Sequence, residues 1–375
     1  MDKSNNSQPL RVLMLFTILN RGGAETMVMN YYRAIDRSKV QFDFVVHREE
    51  EGDYEKEIRS LGGKIYRMMP LRPHTFRKYE KQISSFFDEH PEYKIIHGQC
   101  SESGYFFYKE AAHRGIHVII AHAHSSHVKF DLRWIVRTWM KHKMRPYLTH
   151  YFSCGEEAAE WLFGKQLAKK AIILKNAIDI KSYQFNEEIR KSKRSELRIP
   201  ADTLTVCHIG SFVKVKNHVF ILEIFEKLLK KRPDANLLLV GDGVLKEQTE
   251  KKAMEKGIQT QVHFLGVRKD VNELLIAADA LVFPSLFEGL GITVVEAQST
   301  GMPCIISDII PNEVMITDLV EKVSLHESAS LWAEKLINAS TKTFDRSVYA
   351  EKVASAGYDI KSNSQWLEKF YLNAL

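Results

Sequence analysis

The chain has 375 residues, 45% hydrophobic, 27% charged and 10% aromatic, with a net charge of +6. That profile excludes disordered, fibrous and disulfide-stapled classes and, at this length, predicts two domains that each bury a core. No run approaches the ~20 consecutive apolar residues that span a bilayer, and residues 1–10 lack the apolar centre of a secretion signal, so the chain is expected to remain in the cytoplasm.

In chain order, residues 11–16 (RVLMLF) read as a strand, and Asn20, Arg21, Gly22 and Gly23 as a turn into a helix over 24–35. The alternation continues with strands at 42–47, 64–68, 94–98, 117–122, 151–154 and 171–174, and helices at 54–61, 76–89, 104–114 and 156–163. The polar stretch 179–200 has no strand period and reads as a linker. A second series follows, with strands at 205–209, 236–240, 261–265, 280–283 and 304–307 and helices at 219–229, 244–256, 271–278 and 291–299. Two terminal helices are expected at 348–357 and 362–375. Such alternation predicts an α/β protein with two doubly wound parallel sheets in tandem. Ligands of such sheets bind beyond the carboxyl ends of the strands, so a cleft between two facing domains is expected. Cys100, Cys154, Cys207 and Cys304 form no Cys-x-x-Cys pair and read as small core residues.

The most informative string is Pro284-Ser-Leu-Phe-Glu288-Gly289-Leu290-Gly291-Ile-Thr-Val-Val-Glu296. It joins a strand, a glycine loop and a helix start, and carries two carboxylates. Gly289 and Gly291 let backbone N–H groups approach a ligand, and a helix N-terminus favours phosphate or sugar hydroxyls. Eight helical positions correspond to roughly 12 Å of rise, so one ligand touching both carboxylates must be long, as a nucleotide sugar is.

This string resembles the E-x7-E signature of retaining glycosyltransferases of family 4, as do His208 to Asn217, Leu239 to Gly243 and His263 to Asp270. Weaker matches lie in Gly22-Gly23-Ala-Glu25, Ile96-His97, Ala121 to Ser125 and Asn176 to Asp179. The style is similar to bacterial exopolysaccharide and capsule transferases. The resemblance implies the GT-B fold, two facing Rossmann-like domains with a central cleft and a C-terminal helix crossing back to the first. It places an acceptor-binding domain at residues 1–177, completed by 358–375, and a nucleotide-sugar domain at 178–357. It implies Glu296 on the ribose hydroxyls, Glu288 on the donor sugar, and Gly289, Leu290 and Gly291 as amides for sugar and diphosphate. Lys216 is implied on the diphosphate, Val267 and Arg268 at the base, His124 on the donor sugar, and Gly22 and Gly23 near the phosphates. No Asp-x-Asp is present, and no metal or other cofactor is expected: a cation facing the developing charge does that work. One position departs from the family. Where an arginine usually follows the glycine of the strand turn, this chain has Ser211, which donates one hydrogen bond where a guanidinium donates up to five.

The basic half is the first: residues 1–177 hold 28 basic and 20 acidic side chains, net +8, against −2 for residues 178–375. Within it, Lys129, Arg133, Arg137, Lys141 and Arg145 recur every four residues beside Leu132, Ile135, Val136, Trp139, Met140 and Met144. This reads as a basic amphipathic helix for an anionic membrane surface. Nucleic acid is not expected, because no spaced aromatic platform or duplex-reading motif accompanies the charge. The reading is therefore a hexosyltransferase, peripheral on the inner face of the cell membrane. It would move a sugar from a nucleotide diphosphate, uridine-linked, to a lipid-linked oligosaccharide with retention, in exopolysaccharide or capsule synthesis. The alternatives are a nucleotide-sugar epimerase of the same architecture, or a non-catalytic partner of another glycosyltransferase, suggested by Ser211.

Overall fold

The computed structural model of the chain describes residues 8–124 and 134–375. By contact density the chain divides into two units, Met1–Ala177 with Ile360–Leu375, and Ile178–Asp359.

Unit 1 begins with β1 (Leu10–Leu15), α1 (Gly23–Ala34), β2 (Val40–Val46), α2 (Glu55–Ser60), β3 (Ile65–Arg67) and α3 (Phe76–Glu89). It continues with β4 (Ile95–Gly98), α4 (Tyr105–His113), β5 (Val118–Ala123), α5 (Trp134–Met144), β6 (His150–Ser153), α6 (Glu156–Phe163), α7 (Lys165–Ala168) and β7 (Ile172–Ile173). The strands form one parallel sheet in the order β3-β2-β1-β4-β5-β6-β7. β2 is buried along its whole length, its two polar residues being paired, Gln41 with the Tyr32 hydroxyl and Asp43 with Arg11, because helices cover both sheet faces.

Unit 2 contains α8 (Ile180–Tyr183), α9 (Glu187–Glu196), β8 (Thr205–Ile209), α10 (His218–Leu229), β9 (Asn236–Val240), α11 (Lys246–Glu255) and β10 (Val262–Gly266). After these come α12 (Val271–Ala277), β11 (Ala280–Phe283), α13 (Ile292–Ser299), β12 (Cys304–Ser307), β13 (Val320–Val323), α14 (Ala329–Ser340) and α15 (Tyr349–Val353). Its parallel sheet runs β10-β9-β8-β11-β12-β13. The final helix, α16 (Ile360–Asn373), returns to unit 1 and packs on α1, burying Ile360, Leu367 and Tyr371 among the side chains of β1, β2 and α1. Fully burying a side chain of this size contributes about 1.5–3 kcal/mol.

Three expectations are corrected. The stretch 179–200 is no linker: α8 and α9 occupy it, and Asn186 caps α9 by accepting from the amides of Glu188 and Ile189. The edge strand β13 and the helix α14 were not expected at all. The helix expected over 348–357 ends at Val353 and continues as a wider turn in which Gly357 has φ of 88°.

The charges of α9 explain its place. Arg190 and Arg194 donate to the carbonyls of Ile276, Ala277 and Ala278 at the carboxyl end of α12, and Arg346 donates to those of Leu275, Ala278 and Thr300. Three cations thus meet the negative end of one helix. A single carboxylate, Asp279, lies 2.5 Å from Arg190 and 3.4 Å from Arg194 and also accepts from the Thr205 amide at 2.8 Å. Burial pushes the Arg346 guanidinium down to about 9.

Candidate functional site

In unit 2 the chain leaves β8 in one direction and β11 in the other, and the side chains singled out in the sequence gather at their exits. The two exit loops are bonded to each other: the Leu286 amide donates to the Val215 carbonyl at 2.7 Å and Asn217 Nδ2 to the Pro284 carbonyl at 3.2 Å. Asn217 adopts a left-handed conformation, φ 58°, that turns the chain into α10. These ties bring Lys216 Nζ to 2.6 Å from Glu288 Oε1, with the two side chains only 19% and 11% exposed. The ammonium also sits 5.1 Å from the centroid of the Phe283 ring. A half-buried ammonium beside a glycine loop is a ready partner for phosphate oxygens.

Gly291, with φ of 85°, turns the chain into α13. The helix starts only at Ile292, so only about 6 Å of helical rise, from Ile292 to Glu296, separates the two glutamates, and the remaining positions from Glu288 lie in the loop. Glu296 Oε1 accepts from the Tyr183 hydroxyl at 2.9 Å. Burial raises the Glu296 pKa and that hydrogen bond partly offsets the rise. Tyr183 belongs to α8, inside the stretch read as a linker, where only two aromatics, Tyr183 and Phe185, interrupt the polar surroundings. Leu290 is buried, so it offers a ligand only backbone.

Ser211 is exposed at the β8 exit and Val267 at the β10 exit. The Arg268 guanidinium is already engaged by carboxylates. Its Nε and Nη2 bind Asp270 at 2.8 and 2.6 Å, and Nη2 binds Glu196 at 3.0 Å. Lys193 completes this network, with Nζ 2.6 to 2.8 Å from Glu196, Asp270 and Glu273.

In unit 1, Gly22 caps α1 and Gly23 is the first helical residue. A Cβ at Gly22 would fall on the carboxylate of Glu25, which folds back over it, and burial raises the Glu25 pKa. His124 follows β5 directly, with Nε2 2.6 Å from Gln99 Oε1. Burial lowers its pKa to about 4, so the imidazole is neutral at pH 7. His122 is buried within β5, a strand buried on both faces, and His97 is buried beside it.

The basic helix is only partly what its period suggests. Lys129 and Arg133 lie outside the described residues, as does Ser125. Arg137 is not an unengaged surface cation: its Nε is 2.5 Å from Glu102. Lys141 donates to the Trp161 carbonyl at 3.1 Å and lies over its ring, and Arg145 donates to the Leu162 carbonyl at 3.3 Å. Met140 and Met144 are buried, while Trp139 stacks on Phe76 with ring centroids 6.5 Å apart. The first half of α5 exposes apolar side chains, Ile135 at 71%, Trp139 at 42% and Trp134 at 40%, and its last turn exposes His142 and Lys143. Among the described residues no helix is long and apolar enough to cross a membrane.

Comparison with known proteins follows the same division. The profile of the family Glycosyl transferases group 1 matches residues 189–355, and that of Glycosyltransferase Family 4 matches residues 21–182. A relative named putative glycosyltransferase EpsF, from Bacillus subtilis, is 34% identical over 365 residues, covering 96% of this chain and 95% of its own. An Escherichia coli UDP-Gal:alpha-D-GlcNAc-diphosphoundecaprenol alpha-1,3-galactosyltransferase is 29% identical over 152 residues, 39% of either chain. Anabaena HepE, solved with UDP, superposes with a TM-score of 0.79 at 17% identity, covering 97% of this chain and all of that one. The same protein solved with UDP-glucose gives 0.76 at 16% identity and the same coverage. Two parallel-sheet units, matching profiles over both and a full-length relative together show that the chain belongs to the group 1, family 4 glycosyltransferases and is an enzyme of the GT-B fold.

Proposed function

We propose that this glycosyltransferase moves a hexose from a uridine diphosphate sugar to a lipid-linked glycan with retention of configuration, in the synthesis of a cell-surface polysaccharide. The observation that carries the reading is the Lys216–Glu288 pair at the exits of β8 and β11. Lys216 binds the diphosphate and neutralises the charge that grows as the nucleotide departs. Glu288 and the amides of residues 289–291 hold the sugar, and Glu296, set by Tyr183, accepts from the ribose hydroxyls. The backbone at Val267 and Arg268 meets the base. From unit 1, Gly22 and Gly23 serve the phosphates and His124 the transferred sugar. The departing diphosphate takes the proton of the acceptor hydroxyl on the same face, and the chain's own cations replace a metal. HepE binds UDP and UDP-glucose, and the E. coli relative uses UDP-galactose and a diphosphoundecaprenol-linked acceptor, which supports these ligand classes.

A second reading, a subunit that binds donor without turning it over, is favoured by one observation: Ser211 stands where the family has arginine, and Arg268 is already bound to acids. Tight donor binding with no transfer to any lipid-linked glycan would support it.

The test uses thermal stabilisation by UDP and UDP-sugars, since a ligand at 100 times its dissociation constant adds about 2.7 kcal/mol. Glu296→Gln is expected to lose about 10- to 100-fold in UDP affinity, the loss of one charge-assisted hydrogen bond of roughly 1.5–3 kcal/mol. Because burial raises the Glu296 pKa, its proton returns above the ordinary carboxylate range. UDP binding should therefore weaken as pH falls through that raised value, and Glu296→Gln should be flat there. The same raised pKa destabilises the fold once pH exceeds it, so the unliganded variant should melt higher than wild type at neutral pH. Unchanged UDP affinity in the variant would remove Glu296 from the site.

We place the protein on the inner face of the cell membrane, held through the exposed Trp134, Ile135 and Trp139 of α5 more than through charge. Ile135→Asp should cut co-sedimentation with anionic vesicles several-fold even at high salt, where apolar insertion dominates. Absence of wild-type sedimentation would favour a soluble acceptor.

A further inference from the structure

Three imidazoles lie in a line at the carboxyl ends of β4 and β5, all within unit 1. Register pairs His97 with Ile120, so His122 projects from the same sheet face as His97. On that face the Tyr371 hydroxyl of α16 is 2.6 Å from His97 Nδ1, and His97 Nε2 is 3.3 Å from His122 Nδ1. The His122 ring then stacks on His124, with centroids 4.2 Å apart and planes at 20°. Gln99 closes the line at His124 Nε2. A cavity of about 10 Å³ lies beside His97, His122, Gln99 and Tyr371, room for no more than about one water.

Desolvation keeps all three imidazoles neutral, with His97 held down to about 3 and His124 to about 4. A neutral imidazole carries one N–H, so the contacts along the line are coupled. If Tyr371 donates to His97 Nδ1, His97 donates from Nε2 to His122 Nδ1, and the His122 proton sits on Nε2. If His97 donates to the Tyr371 oxygen, the His122 proton sits on Nδ1. The direction of the Tyr371–His97 bond and the tautomer of His122, two links away, are therefore set together, and the His122 ring supports one face of His124. At the other end Gln99 Oε1 accepts from His124 Nε2–H, which leaves Nδ1 as the acceptor.

We propose that Gln99 and the chain Tyr371–His97–His122 are positioning residues for His124, so that Gln99 fixes the tautomer of that imidazole and the stacked chain anchored on the last helix fixes its pitch. The inference rests on the assignment of His124 to the transferred sugar. In the full-length protein, Tyr371→Phe removes one hydroxyl and keeps the ring. It is expected to change the side-chain nitrogen shifts of His97, His122 and His124 in long-range ¹⁵N–¹H spectra. It should also lower kcat for UDP-glucose hydrolysis by about tenfold, the scale of a small misplacement, with KM within twofold. Gln99→Leu, at the opposite end, should lower kcat likewise and move the His124 nitrogens. If His124→Asn loses turnover while Tyr371→Phe and Gln99→Leu do not, the proposal is overturned. If His124→Asn keeps full turnover, the assignment of His124 fails instead, and the nitrogen shifts alone decide: unchanged His122 and His124 signals in Tyr371→Phe overturn the relay.

Discussion

Replacing Lys216 by alanine will lower single-turnover transfer by two to three orders of magnitude while leaving acceptor affinity nearly unchanged. The ammonium is held in place before any ligand arrives, by its pair with Glu288, by the Phe283 ring and by the two bonds that tie its loop to the β11 exit. A donor fixed in this way pays no reorganisation as charge develops on the departing diphosphate, and losing one such donor typically costs about 2.7–4 kcal/mol of barrier. Ser211 brings no charge and Arg268 is bound to Asp270 and Glu196, which leaves Lys216 and its turn neighbour Lys214 as the cations of the β8 exit loop. Adding Ser211→Arg to the alanine variant should therefore restore part of the lost rate. Rapid-quench measurement decides: a loss below tenfold would show that another cation carries the leaving group.

The largest effect on stability is expected at Asp279. Asp279→Asn leaves Arg190, Arg194 and Arg346 converging on the end of α12 without their carboxylate. Helix carbonyls supply only partial charge, and breaking a buried pair by neutralising one member typically costs about 3–5 kcal/mol. The loss should appear as an earlier urea midpoint for the transition of unit 2 at unchanged slope. A shift corresponding to less than about 1 kcal/mol would mean that the carbonyls alone sustain three guanidinium groups, within the range of ordinary surface changes.

How far the sequence could be read depended on whether a residue's environment was local. Strands buried on both faces announce themselves as apolar runs, and the limits of β8, β9, β11 and β12 agree with that reading. The stretch 179–200 misled because its charges are spent on other elements. A basic helix bonded to the carbonyls of α12 has the same composition as a solvated segment. β13 escaped because its two middle residues, Glu321 and Lys322, are charged, as an edge strand tolerates. α14 could have been found: Ser328 accepts from the Leu331 amide, a legible cap before Leu331, Trp332 and Leu336. Within the site, the glycine loop and both glutamates were visible in one string. The Lys216–Glu288 pair, spanning 72 positions, and the Tyr183 support of Glu296 exist only once β8, β11 and α8 are assembled. The period of α5 was likewise readable, but no period reveals that Arg137, Lys141 and Arg145 already have partners.

The return of α16 has a consequence for the order of events during synthesis. Ile178–Asp359 is one uninterrupted segment, whereas the other unit is assembled from two pieces separated by it. The pairing of Ile178 with Asp359, through the Ile178 amide and the Tyr358 carbonyl, brings the ends of that segment side by side. On the ribosome, where folding generally proceeds from the N-terminus as units emerge, this chain departs from the rule. The sheet begun first keeps an open seat for Leu367 and Tyr371 until α16 is made, and the unit encoded second is the first that can close. A chain cut after Asp359 therefore carries every segment of the inserted unit, while its host still lacks the helix that covers α1.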